Sequence, residues 1–191
     1  FEYHALTRQE ARAPGSVPAI HYFDEGQALI IMEYLAPPHI ILRRALIDGR
    51  QLPNIARDIG LFMARTLFRG SDLHMAAKDR KADLALFADN VELCDITESL
   101  EFAFYGPMAF DVGMLLANFW MSFFSQRGHE EEGKRDAMRA YMLGVTVETW
   151  SVFRAEFSHL WRTERSGMLY QKSLFEDQGD KLGAEQALDH V

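Results

Sequence analysis

Apolar residues recur along this chain with two different periods, and the change from one to the other divides it. From Phe1 to about Arg12 apolar and charged residues fall at near-helical spacing, and Pro14-Gly15 closes the segment. Ile20 to Phe23 and Ala28 to Met32 are short β-prone runs on either side of Asp24-Glu25-Gly26, the composition of a hairpin turn. Tyr34 to Pro38 interrupts regular structure with two prolines, and beyond it the pattern is helical throughout. Ile40 to Ile47 predicts a short helix stopped by Asp48-Gly49. Asn54 to Arg69 sets Ile55, Ile59, Phe62, Met63, Leu67 and Phe68 on one broad apolar face and ends at Gly70. Further helices are expected over Lys78 to Asp89, Asp111 to Phe124, Arg135 to Leu143 and Thr146 to Thr163. A helix and a hairpin followed by a mainly helical region make an α+β protein.

Composition narrows the function classes. An apolar content of 48% over 191 residues is that of an ordinary globular chain able to bury a core. The net charge of −8 opposes broad binding to a phosphate backbone, so nucleic acid is not an expected partner. A nucleotide remains compatible, because Mg²⁺ and a few placed cations neutralise its phosphates locally. Cys94 is the only cysteine, which excludes an intrachain disulfide or a multi-cysteine zinc cluster and fits a reducing cytoplasm. No signal peptide is evident, and Asn118 to Phe124 is too short an apolar run to span a bilayer, so no membrane association is expected.

The stretch from Glu101 to Gly113 carries the chemistry: an acid, an aromatic turn Phe102-Ala103-Phe104-Tyr105, a Gly106-Pro107 break, and a second acid, Asp111, opening an apolar helix. A carboxylate is a hard oxygen ligand, and Mg²⁺ usually takes one or two of them plus water and substrate phosphates, so Glu101 is a candidate metal ligand. Asp111 is placed to cap its helix or anchor a neighbouring loop. His39, His74 and His129 are isolated and read as surface or satisfied core residues, and Asp72-Leu73-His74 lacks the context of a catalytic loop. Trp150 and Trp161 read as core or interface anchors.

That acidic stretch resembles the segment following the metal-binding aspartate of the S-methyl-5-thioribose kinases, where an Asp-Pro-Glu triplet runs into a similar aromatic Gly-Pro sequence. Ile30 to Arg44 resembles the strand, interlobe hinge and following helix of the same family, and Asn90 to Cys94 resembles another of its segments. The resemblance implies a protein-kinase-like bilobal fold, with residues 1–34 a partial N-lobe and 35–191 the hinge and helical C-lobe. It implies an ATP- and Mg²⁺-dependent enzyme phosphorylating the anomeric hydroxyl of a small sugar in methionine salvage, cytoplasmic and homodimeric. Met32, Glu33, Tyr34 and Leu35 would then be the adenine-binding hinge, Glu101 the metal ligand, Glu2 the acid that pairs with a phosphate-positioning lysine, and Asp111 a brace for the catalytic loop.

The chain departs from that pattern where transfer chemistry should be. It has no Gly-rich phosphate loop, no following lysine strand and no His-Gly-Asp motif, so no catalytic base is assignable. Ser99 and Leu100 stand where the family has its metal-binding aspartate and proline, which points to an omitted segment between Leu100 and Glu101. Two other readings stay open: a different small-molecule phosphotransferase, of the choline or aminoglycoside kinase type, and a non-catalytic nucleotide-binding module.

Overall fold

The structure, a computed structural model, describes residues 2–87 and 108–167. In order these form α1 (Glu2–Arg12), β1 (Ile20–Asp24), β2 (Leu29–Met32), α2 (Leu42–Ile47), α3 (Ile55–Arg69), α4 (Ala77–Phe87), α5 (Met108–Ser125), a short 3₁₀ turn (Gln126–Gly128) and α6 (Asp136–Glu164). Helices and one two-stranded antiparallel sheet make the α+β class expected from the sequence. The chain divides into two compact units, one of residues 1–14, 64–105 and 154–191, the other of residues 15–63 and 106–153.

In the second unit the hairpin pairs Ile20 with Met32, Phe23 with Ile30 and Asp24 with Leu29, with an irregularity between Ile20 and Tyr22. Its turn is longer than the Asp-Glu-Gly triplet suggests. Asp24 Oδ1 accepts from the Gln27 amide at 2.9 Å, and Ala28 takes a left-handed φ of 49°. The core gathers Leu46, Ile55, Ala56, Phe119, Met138, Met142 and Val145, from α2, α3, α5 and α6. Gly60 is required in this packing, because a Cβ there would lie 2.9 Å from Val152.

Polar groups close the ends of these elements. Gln126, itself buried, donates to the Leu46 carbonyl, and Arg135 donates to the Ile47 carbonyl at 3.2 Å, so side chains from elsewhere in the unit satisfy the carboxyl end of α2. Tyr141 both accepts from the Leu52 amide and donates to the Leu52 carbonyl at 2.8 Å; burial pushes its hydroxyl pKa up.

The first unit is held by ion pairs around an apolar centre of Phe68, Leu73, Phe87, Phe157, Leu160 and Trp161. Phe68 and Phe157 meet edge to face, 5.3 Å between ring centres. Asp83 is buried and receives Arg8 at 2.8 Å and Arg12 at 2.9 Å, which ties α1 to α4. Arg69 grips Glu164 with two bonds of 2.8 Å, and that bond holds the glutamate pKa below its ordinary value. Arg65 pairs with Glu156 at 2.7 Å.

Two sequence expectations change. The paired helices expected over Arg135 to Leu143 and Thr146 to Thr163 are one helix of 29 residues. Gly144 costs that helix on the order of 1 kcal/mol of propensity, which the burial of Met142 and Val145 on either side outweighs. The expectation that no apolar run could span a bilayer is also corrected. Met108–Gly128 is one helical stretch long and apolar enough to do so by length and composition, because Met108 to Ala117 extends the run beginning at Asn118. Phe119 enters the core of its unit, while only 6% of that apolar stretch is buried.

Removing the carboxylate of Asp83 takes their shared buried anion from Arg8 and from the largely buried Arg12. Asp83→Ala is therefore expected to lower the unfolding free energy by about 3 kcal/mol in urea melts, against a smaller loss for Arg8→Ala, since Arg12 still pairs. A loss below about 1 kcal/mol for Asp83→Ala contradicts this account.

Candidate functional site

The segment that leaves β2 is the best-formed candidate. Met32 ends the strand, and the Glu33 amide donates to the Ala19 carbonyl at 2.7 Å, prolonging the ladder by one bond. The Glu33 carboxylate reaches the same place from the other side: its Oε2 accepts from the Ala19 amide at 3.2 Å. Glu33 thus clamps the exit from the hairpin through both backbone and side chain. Periodicity gave no sign of that role for its carboxylate.

Beyond the clamp the chain turns. The Ala36 amide donates to the Tyr34 carbonyl at 3.0 Å, and the Ala36 carbonyl accepts both the His39 amide and the His39 ring Nδ1–H, at 3.1 and 2.7 Å. The Pro37-Pro38 peptide is cis. Among the described residues, the Glu33 carbonyl and the Leu35 amide take no partner. An adenine's Watson–Crick edge carries one hydrogen-bond donor and one acceptor, the complement of such a pair of groups. Tyr34 and Leu35 are exposed.

The other expected residues are dispersed. Glu2 is exposed in the first turn of α1. Asp111 lies inside the first turn of α5 and not ahead of it, so its charge meets the positive end of the helix dipole. Partial loss of solvent around its carboxyl nevertheless raises its pKa, although the residue as a whole is exposed. Glu101 lies outside the described residues, as do Asn90 to Cys94 and the junction of Leu100 with Glu101. His74 donates through Nδ1 to the Glu164 carbonyl at 2.9 Å and packs on Phe68, which employs it in holding the first unit together. His129 is exposed, Trp161 is buried and Trp150 is half exposed.

No group of three or more His, Cys, Asp or Glu able to hold a metal exists among the described residues. These residues alone do not compose a Mg²⁺ site.

No protein-family profile matches the chain. A protein of Escherichia coli O45:K1 (strain S88 / ExPEC) named methylthioribose kinase is 31% identical to it, over 99% of this chain and 62% of the relative. The chain is a homologue of the methylthioribose kinases. Methylthioribose kinase 1 of Oryza sativa subsp. japonica is 28% identical over 87% of the chain and 56% of its own length. The methylthioribose kinase of Bacillus velezensis is 27% identical over 93% and 60%. The chain therefore spans well under two thirds of the length of these relatives.

The same alignments expose an internal deficit. The Escherichia coli comparison runs over 264 positions yet uses 99% of a 191-residue chain, so about 75 of those positions face gaps in this chain. For the rice relative, 240 positions over 87% of the chain leave about 74, and for Bacillus velezensis, 249 over 93% leave about 71. Bacterial and plant methylthioribose kinases alike carry some seventy internal positions that this sequence does not.

The direction of the Asp111 shift has a consequence for stability. With its folded pKa above the ordinary 3.8, the native state binds the proton more tightly than the unfolded chain. Ionised Asp111 therefore costs stability that sets in as pH rises from the unfolded to the folded value. Asp111→Asn is expected to be more stable than the parent at pH 7, with urea midpoints converging below pH 3.8. Equal midpoints at pH 7 contradict that assignment.

Proposed function

We propose that this chain is part of an ATP-dependent kinase that phosphorylates the anomeric hydroxyl of methylthioribose, the first commitment of that sugar in methionine salvage. The observation that carries the reading is the sequence similarity to methylthioribose kinases over nearly the whole chain, with the resembled hinge falling on the Met32–Leu35 segment. Adenine would accept a hydrogen bond from the Leu35 amide and donate one to the Glu33 carbonyl, both of which are without partners among the described residues. Met32 supplies apolar contact, and the Glu33 clamp on Ala19 fixes the edge on which the base docks.

In this reading β1 and β2 belong to the smaller lobe of a protein-kinase-like fold, with residues 1–34 before the hinge and the helical lobe after it. Glu2 would pair with a lysine that this sequence does not contain, Glu101 would bind Mg²⁺ at the nucleotide phosphates, and Asp111 would brace the catalytic loop. The base that orients the sugar hydroxyl would lie in the missing positions, which we place between Leu100 and Glu101. Phosphoryl transfer asks the protein mainly for positioning and charge stabilisation, so losing that segment would abolish turnover and leave the adenine edge intact. We further assign the protein to the cytoplasm as a homodimer with a small sugar as substrate, without nucleic-acid or membrane partners.

The test is an activity panel on the natural protein with ATP and Mg²⁺, offering methylthioribose, choline and aminoglycosides. Phosphorylation of methylthioribose alone supports the reading; turnover of choline or an aminoglycoside in its place moves the protein to a related phosphotransferase. For the hinge, Leu35→Pro deletes one amide donor, and calorimetry should show ADP affinity at least about tenfold weaker, the value of one well-made hydrogen bond. Unchanged affinity would place the nucleotide elsewhere.

A further inference from the structure

The bend after β2 holds one side chain in a fixed chemical state. His39 closes a reverse turn with Ala36, its amide donating to the Ala36 carbonyl at 3.1 Å, which brings the two Cα atoms within about 7 Å of one another. The ring follows the backbone: Nδ1 lies 2.7 Å from the same carbonyl oxygen. A carbonyl can only accept, so Nδ1 carries the proton and the neutral ring keeps a bare lone pair on Nε2. Among the described residues Nε2 takes no partner, and His39 is exposed.

This acceptor sits one turn beyond the edge assigned to adenine. Ala36 directly follows Leu35, so the His39 ring is anchored to the residue next to the amide that would donate to the base. A bare lone pair calls for a donor. In an adenine nucleotide the donors are the exocyclic amino group and the ribose hydroxyls, while the ionised phosphates only accept and would meet the lone pair unfavourably. The Glu33 carbonyl engages the amino group in the proposed reading, which leaves the ribose. Because Ala36 already holds the ring, a hydroxyl meeting Nε2 orders no free side chain.

We propose that His39 is a specificity-determining residue for the nucleotide, its Nε2 accepting a hydrogen bond from a ribose hydroxyl. The proposal rests on the adenine edge at Glu33 and Leu35 given under the proposed function, and it extends recognition from the base to the sugar. The two ring nitrogens then have separate tasks: Nδ1 shapes the bend and Nε2 reads the ligand.

That separation supplies the test. In His39→Asn the side-chain amide can still donate to the Ala36 carbonyl, but no acceptor remains where Nε2 stood. Calorimetry on the natural protein and this variant should compare ADP with 2′,3′-dideoxy-ADP, which lacks both hydroxyls. His39→Asn is expected to weaken ADP at least about threefold, the value of one modest hydrogen bond, and to leave the dideoxy nucleotide unchanged. Should that variant fail to fold, His39→Ala carries the same comparison, because a disturbed bend weakens both nucleotides alike and only a lost ribose contact changes their ratio. An unchanged ratio of the two affinities, whether both stay the same or both fall together, overturns the proposal and leaves His39 a brace for the bend. Leu35→Pro separates this failure from that of the hinge: weakened ADP there with an unchanged ratio in His39→Asn keeps the adenine edge and sinks the ribose contact. ADP affinity untouched by Leu35→Pro, or no ADP binding by the natural protein, sinks both.

Discussion

The burial of Phe119, midway along α5, is the contact on which the packing of the second unit depends. Phe119 and its neighbours on one side organise the packing of α2, α3 and the first half of α6, with Gly60 admitting Val152 at close range. Around this apolar arrangement, Gln126, Arg135 and Tyr141 satisfy backbone groups that the short elements leave open. On the other side of α5, Phe110, Met114, Met121 and Phe124 are exposed.

The two units achieve order by different means. The second relies on apolar contact, while the first sets ion pairs around its aromatic centre: Asp83 with two arginines, Arg69 with Glu164, Arg65 with Glu156. Of these only Asp83 is deeply enclosed, so it carries the larger share of the electrostatic stake. The adenine-edge candidate is in the second unit, on a strand exit where the Glu33 carboxylate and amide both engage Ala19. In the proposed reading the backbone and not a side chain recognises the base there.

Much of this was legible in the sequence because the local signals agreed with the burial. The period change at Tyr34, the prolines that follow it and the broad apolar face of α3 led directly to the hairpin, the break and the helix that the structure contains. The division of α6 at Gly144 was misread because local propensity penalises glycine, whereas Met142 and Val145 are buried and keep the helix continuous. The helix itself was expected over Asp111 to Phe124, but its apolar run was underread because Asn118 and Asp111 interrupt the run without ending it. At the candidate site, the hinge followed from resemblance, but the clamp by Glu33 is a contact of 14 residues' separation, which no local pattern encodes. Glu101 lies outside the described residues, so its chemistry stands on sequence alone.

The chain is a homologue of the methylthioribose kinases, and the proposed reading gathers the positions it lacks into one internal segment that bears the transfer chemistry. The mass of the polypeptide as the cell makes it tests that claim most directly. The account predicts a mass exceeding 21.9 kDa by at least about 8 kDa, with peptide mapping placing the additional residues between Leu100 and Glu101. A mass of 21.9 kDa, with Leu100 and Glu101 joined in one peptide, would contradict it and leave a nucleotide-binding protein without a kinase's chemistry.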